Sequence, residues 1–208
     1  MLQISTVKPA CLEILKQLML IPELASFCLA GGTALALKYG HRESVDLDLF
    51  ASADFENEKI ATAIARNFPT FSYRTLTNPI GVFGFIDEVK VDFVKYHYHP
   101  LIKQHETIDG IRILQDEDLI AMKINAILRR GVKKDFWDIS ELLHHYPLSS
   151  FIEFYQEKYI DQYLPISIPQ ALIYFADAEE SEAPKSLKGQ TWEKVKKNIQ
   201  RKVSEFLN

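Results

Sequence analysis

The period of the apolar positions changes along this chain of 208 residues, and the change predicts an α+β fold. Up to residue 115, short apolar runs and period-two alternation predict strands at 27–30, 44–50, 71–76, 81–86, 89–98 and 110–114. Helical spacing in the same region predicts helices at 11–20, 22–27, 33–40 and 54–68. Thr33 is the predicted cap of the third helix and Gly40 its stop. Only Asp87 and Glu88 separate two of the strands, which indicates a tight hairpin.

Beyond residue 115 the pattern is almost wholly helical, with helices predicted at 116–130, 133–145, 150–158, 168–178 and 190–206. We therefore expect a mixed sheet with flanking helices at 1–115, followed by a helical region at 116–208 that packs against it. Trp137 and Trp192 are expected to pack within the helical half. The polar stretch "DAEESEAPKSLKGQ" is the one predicted linker.

Composition and charge exclude some classes of function. The net charge of −4 argues against a nucleic-acid binder that uses its whole surface, so any phosphate-binding role must be local. Cys11 and Cys28 have neither metal-ligand nor disulfide spacing, which favours a reducing compartment. The longest apolar region, "LMLIPELASFCLAGGTALAL", is interrupted by Pro22, Glu23 and a glycine pair. We expect a cytoplasmic protein without a membrane partner.

Two aspartates lie one residue apart in the predicted strand "SVDLDLF". Alternation places Asp46 and Asp48 with Ser44 on one face, and Val45, Leu47 and Leu49 on the other. Two like charges on one strand face repel each other, and a divalent cation with oxygen ligands would offset that repulsion. The alternative is an exposed acidic face of an amphipathic strand.

A glycine pair precedes these aspartates, with thirteen residues (33–45) between Gly32 and Asp46. Strand, Gly31-Gly32 and helix N-terminus together form a possible phosphate cradle, although the motif is not a Walker A loop. A glycine pair alone is more often a plain turn. A cradle followed at short range by an aspartate pair indicates a site for a metal-bound nucleoside triphosphate.

A third carboxylate, Asp92, interrupts the apolar alternation of "VKVDFVKY" and shares a strand face with Lys90 and Val94. If this strand lies near the first one, Asp92 completes a three-carboxylate site of the two-metal kind. In that arrangement one metal activates the attacking hydroxyl and the other holds the triphosphate. The alternative is an edge-strand aspartate balanced by Lys90.

These motifs resemble the signature of the DNA polymerase beta-like nucleotidyltransferase superfamily. More closely, "GGTALALKYGHRESVDLDLF", "VKVDFVKY" and "DLIAMKINAILRRGVKKDFWDISELL" are similar to the AbiEii/AbiGii nucleotidyltransferase toxin family of type IV toxin–antitoxin and abortive-infection systems. The resemblance spans roughly 27–145, and a weaker likeness extends through "ALIYFADAEESEAPKSL". It implies a polymerase beta-like sheet, Mg²⁺ or Mn²⁺ as cofactor and a nucleoside triphosphate as substrate.

The resemblance also assigns roles to matching positions. It implies catalytic residues at Asp46, Asp48, Asp92 and Lys123, with the three aspartates as metal ligands. It implies nucleotide-binding residues at Gly31, Gly32, Thr33, Arg42, Ser44, Lys123, Asp135 and Asp138. A transfer RNA is a plausible acceptor by the same resemblance, and a cognate antitoxin would be encoded nearby.

Lys123 lies among apolar residues of a predicted helix, so its ammonium group needs a partner. A triphosphate is one partner; the alternatives are solvent or Asp135. Asp135 could instead cap the helix that it begins, whereas Asp138 lies too far along to do so. Nearby basic residues could hold the phosphates of an RNA acceptor, or could form an ordinary solvated face.

The sequence thus predicts a metal-dependent enzyme that transfers a nucleoside monophosphate from a nucleoside triphosphate to an acceptor, with release of pyrophosphate. One rival is a metal-dependent glycosyltransferase, in which an Asp-x-Asp pair binds a sugar nucleotide. Another is a nucleotide-binding module that keeps the fold and has lost catalysis.

Overall fold

The computed structural model describes all 208 residues as eight α-helices and seven strands. The helices are α1 (Pro9–Leu20), α2 (Gly31–Tyr39), α3 (Asn57–Asn67), α4 (Asp116–Arg129), α5 (Lys133–Leu142), α6 (Leu148–Lys158), α7 (Ile168–Leu172) and α8 (Trp192–Leu207). The strands are β1 (Phe27–Leu29), β2 (Leu47–Ala51), β3 (Ser72–Tyr73), β4 (Gly81–Ile86), β5 (Val89–Lys95), β6 (Glu106–Ile108) and β7 (Ile111–Ile113). Three-residue 3-10 turns lie at Ile4–Thr6, Pro22–Leu24 and Ala176–Ala178.

All seven strands form one mixed sheet in the order β3-β4-β5-β2-β1-β7-β6. Strands β2 and β5 are parallel, as are β1 and β7, and the other neighbours are antiparallel. The predicted mixed sheet with flanking helices is confirmed. Residues two apart on a strand face the same side of the sheet. The register of β2 with β5 places the residues of the two strands side by side on that face.

Buried apolar side chains of the sheet and of the later helices form one continuous core. It includes Leu49 on β2, Ile120 on α4 and Phe136 on α5, each at most 1% exposed. Trp137 and Trp192 stack within the helical half, with ring centroids 6.1 Å apart. No helix has both the length and the apolar character needed to cross a bilayer.

The start of α2 differs from the prediction. The helix begins at Gly31, two residues before Thr33, so Thr33 lies inside the first turn and is not a cap. Its hydroxyl is instead hydrogen-bonded to the backbone oxygen of Asp46 and to Ser44 Oγ. Gly40 ends the helix in the left-handed conformation, as predicted. Strand β2 also begins later than expected, which leaves Val45 half exposed instead of buried.

Two further predictions about elements are corrected, and one strand was missed. Strand β6 was not predicted, although the Asp109-Gly110 turn that joins it to β7 has positive φ at both residues, a typical hairpin signal. The predicted helix 168–178 is α7 followed by a separate 3-10 turn. The predicted linker is instead bound to the residues before β2: Glu43 N donates to Lys185 O and Leu187 N to His41 O, both at 2.9 Å.

Candidate active site

The glycine pair brings the N-terminus of α2 against two charged side chains. Gly31 has a φ of 66°, in the region that favours glycine. A methyl group at Gly31 would overlap the Asp48 carboxylate, and one at Gly32 would overlap the Arg42 guanidinium. N–H groups in the first turn of a helix have no intrahelical partner and can donate to an anion. The turn therefore presents donors directly beside a carboxylate and a guanidinium.

Strands β2 and β5 bring the aspartates together. Leu47, Leu49 and Ala51 are buried in the core, and the intervening Asp48 points to the other face of the sheet. Asp48 pairs in register with Asp92 on β5. Asp46 lies one residue before β2 and lines the same cleft. The three predicted carboxylates are thus neighbours, although Asp48 and Asp92 are 44 positions apart along the chain.

Charge is crowded around these carboxylates. Burial, and then the negative charge of Asp92, raise the pKa of Asp48 despite the opposing effect of Lys123 and Lys90. Burial alone would lower the pKa of Lys90, but its hydrogen bond to Asp92 and the negative charge there raise it. Asp46 lies 3.9 Å from the ammonium of Lys134. Lysines at the rim therefore offset part of the carboxylate charge.

These donors fit a hard divalent cation. Asp92 Oδ1 is buried without a hydrogen-bond partner, and the pKa of Asp48 is raised by burial and like charge, so a cation would relieve both conditions. No group of three His, Cys, Asp or Glu side chains is already arranged as a metal-ligand cluster. Mg²⁺ commonly uses one or two carboxylates and completes its coordination with water and substrate phosphates. Asp46, Asp48 and Asp92 are the residues that would hold it.

A cleft of about 280 Å³ lies over this part of the sheet, between the strands and α4. We call it the carboxylate cleft. Besides the three aspartates, it is lined by the predicted residues Gly31, Gly32, Arg42, Ser44 and Lys123. The predicted residues Thr33, Asp135 and Asp138 do not line it. Arg130 and Lys134, two of the basic residues near Lys123 that the sequence offered as contacts for RNA phosphates, also line it.

Behind the cleft, Asp138 is the centre of a buried ionic network. His41 Nε2 donates to Asp138 Oδ1 at 2.7 Å, and Arg42 donates to both carboxylate oxygens, at 2.6 Å and 2.9 Å. Lys123 Nζ lies 2.7 Å from Asp138 Oδ2 and 2.9 Å from Asp135 Oδ1. Both carboxylates are fully buried. The network joins the residues after α2 to α4 and α5.

The buried ionic network shows which groups Lys123 and Asp135 contact. Lys123 makes the predicted alternative contact with Asp135, yet it also lines the carboxylate cleft. Asp135 does not cap α5; Val132 occupies that position. Burial alone would raise the pKa of Asp138, but Arg42 and Lys123 hold it well below its usual value. The contact of His41 with Asp138 had no local signal in the sequence, because the two residues are 97 positions apart.

Comparison with known proteins identifies the family of the chain. The model of the family described as "Nucleotidyl transferase AbiEii toxin, Type IV TA system" matches residues 13–81 and 82–206. An uncharacterized protein of Aquifex aeolicus (strain VF5), aq_aa25, is 34% identical over 202 residues, which cover 94% of this chain and 95% of that protein. The family match includes every residue that lines the carboxylate cleft.

Solved structures share the fold at low identity. A protein of H. pylori, described as a candidate nucleotidyltransferase, superposes with a TM-score of 0.58 at 18% identity, covering 97% of this chain and 99% of that one. The nucleotidyltransferase toxin MenT4 of Mycobacterium tuberculosis H37Rv gives a TM-score of 0.56 at 13% identity, covering 93% and 83%. At these identities the likeness concerns the fold alone.

Proposed function

The chain belongs to the AbiEii nucleotidyltransferase toxin family and is a nucleotidyltransferase, and from this premise we propose a divalent-metal-dependent transfer of a nucleoside monophosphate to an RNA acceptor. The observation that carries the proposal is the in-register pairing of Asp48 with Asp92, in one cleft with the glycine turn. Family membership argues against the rival glycosyltransferase reading.

In the proposed reaction an acceptor hydroxyl attacks the α-phosphorus, and the bond to pyrophosphate breaks. Asp92 lies at the floor of the cleft and accepts the hydroxyl proton. The turn at Gly31-Gly32 donates N–H groups to the triphosphate, and the cations Lys123, Arg130 and Lys134 of the same cleft offset its charge. A divalent cation held by the aspartates would supply Lewis-acid stabilisation of the phosphate oxygens.

The biological part of the proposal follows the family. We propose a toxin of a type IV toxin–antitoxin or abortive-infection system that acts in the cytoplasm, with transfer RNA as acceptor and a cognate antitoxin encoded nearby. Support comes from the description of the matching family and from the positive side chains that border the cleft.

Incubation with each common nucleoside triphosphate, Mg²⁺ and total RNA tests the reaction. We expect label from the α-phosphate, and none from the γ-phosphate, to appear on RNA. The Asp46→Asn/Asp48→Asn variant should lose both transfer and the Mg²⁺-dependent binding of triphosphate in calorimetry, whereas Asp161→Asn, an exposed control, should retain both. Transfer of γ-label, or label on the protein itself, would contradict the proposal, and absence of all transfer would favour an inactive binding module.

A further inference from the structure

A second cleft, of about 620 Å³, continues the carboxylate cleft along the same face of the sheet. Phe50 pairs in register with Val94, two positions beyond Asp48 and Asp92 on their strands. Side chains two apart on a strand share a face, so this pair borders the carboxylates directly. Phe50, Val94 and Arg130 line both clefts. We call the second one the aromatic cleft.

A row of rings forms one wall of the aromatic cleft. Ring centroids of Phe50 and Tyr96 lie 5.1 Å apart, those of Tyr96 and His99 5.7 Å, and those of His99 and Tyr159 4.7 Å. The hydroxyl groups of Tyr96 and Tyr159 are hydrogen-bonded at 2.7 Å, which fixes both rings. Burial, with Lys158 and Arg129 nearby, lowers the pKa of His99, which favours the uncharged ring. Tyr98 adds a further, largely exposed ring.

The aromatic cleft is also lined by cations, one of which, Arg130, it shares with the carboxylate cleft. Arg129 and Arg130 are exposed at the end of α4, and Arg129 takes part in no ion pair. Lys95 lies in the same cleft, although Asp54 is bound to it at 3.0 Å. A nucleobase carries no charge at neutral pH, and the charges of a triphosphate are met in the carboxylate cleft. Arg129, a cation without an ionic partner beside a row of rings, therefore suits a second polyanion whose bases can stack.

We propose that the aromatic cleft binds the unpaired terminal nucleotides of an RNA acceptor. A base stacks on the ring row, and Arg129 contacts the phosphodiester next to it. This inference rests on the proposed function, because the cleft delivers a terminal hydroxyl to the side of the sheet where Asp92 lies. Single-stranded ends expose their bases for stacking, whereas a blunt duplex does not.

Binding of a short, fluorescently labelled single-stranded oligoribonucleotide, without nucleoside triphosphate or metal, tests the inference. We expect Tyr98→Ala and Arg129→Gln each to weaken binding roughly tenfold, as loss of one stacked base or one phosphate contact does. Arg129→Gln should also reduce the slope of log affinity against log salt by about 0.7. Tyr163→Ala and Arg74→Gln remove the same groups at exposed positions outside the cleft and should bind RNA as the unchanged protein does.

A second measurement separates the acceptor from the incoming nucleotide. With Mg²⁺ present, Tyr98→Ala and Arg129→Gln should bind nucleoside triphosphates and inorganic tripolyphosphate normally. Weaker binding of nucleoside triphosphate, with normal binding of tripolyphosphate, would place the incoming base in the aromatic cleft and overturn the inference. Unchanged RNA binding in both variants would also overturn it. The RNA-binding result does not depend on transfer, so it can hold even where the labelling experiment fails, and the reverse is also true.

Discussion

At the scale of single residues, Asp92 is the position where triphosphate binding and the transfer reaction can be tested separately. One carboxylate oxygen is held by Lys90, and the other is buried without a partner beside Asp48. Asp48 adjoins the glycine turn, where we propose that the triphosphate binds, and Val94, two positions beyond Asp92 on β5, lines both clefts. Asp92 thus lies where the two substrates would meet.

We expect Asp92→Asn to keep measurable affinity for nucleoside triphosphate and to lose transfer by at least about a hundredfold, because the amide cannot accept the acceptor proton. Calorimetry and the labelling assay measure the two effects. Asp87→Asn, in the exposed turn between β4 and β5, makes the same chemical change on the same hairpin and should alter neither. A loss of affinity that matches the loss of rate would assign Asp92 to the nucleotide site or to the fold.

At the scale of elements, α4 has two roles, and substitution of a single residue affects both. Its Lys123 lines the carboxylate cleft and also neutralises Asp135 and Asp138 on α5. Burial alone would lower the pKa of Lys123, but these two carboxylates raise it. Removal of one partner of a buried ion pair leaves an uncompensated charge and costs about 3–5 kcal/mol. A single Lys123 variant therefore tests folding and binding at once.

The pair of variants Lys123→Met and Lys123→Met/Asp135→Asn separates these effects. The single variant should lower the free energy of unfolding, and the double variant should recover part of it because the buried charges balance again. If Lys123 contacts the triphosphate, both variants should bind nucleoside triphosphate about ten- to a hundredfold more weakly and nucleoside monophosphate normally. Normal triphosphate binding by the double variant would make Lys123 a purely structural residue.

The same scale shows which features could be predicted from the sequence. The alternation around Asp48 and the stop at Gly40 are local signals, and both elements are present. The prediction that Thr33 caps α2 was wrong because the glycine pair lets the helix begin at Gly31. Residue preferences alone do not encode that backbone geometry. The partners of Asp138 depend on packing between distant segments, so no motif could have indicated them.

At the scale of the whole molecule, the two predicted regions are held together at the site itself. Asp138 of α5 binds His41 and Arg42, which precede β2, and the segment around Lys185 pairs with the same stretch. The apolar core is also continuous across both regions. Residues 1–115 and 116–208 therefore share buried charges and buried surface, and we propose that neither region unfolds without the other.

Acid unfolding tests this proposal. The Asp138 pKa lies well below that of an unfolded carboxyl group, about 3.9, so its contribution to stability is complete above that pH and is lost as the pH falls further. Asp116 and Glu141 also have lowered pKa values and add to the same slope. In urea titrations at decreasing pH, we expect the free energy of unfolding to fall below about pH 4 and the slope to be flatter in Asp138→Asn.

Cooperativity is measured in the same titrations with a probe for each region. Tryptophan fluorescence reports only on 116–208, because Trp137 and Trp192 are the two tryptophans of the chain. Hydrogen exchange in β5 peptides reports on 1–115. The two transitions should coincide at every pH, since protonation of Asp138 removes a contact that both regions share. If β5 stays protected from exchange at urea concentrations where the fluorescence has already changed, residues 1–115 are instead a domain that is stable on its own.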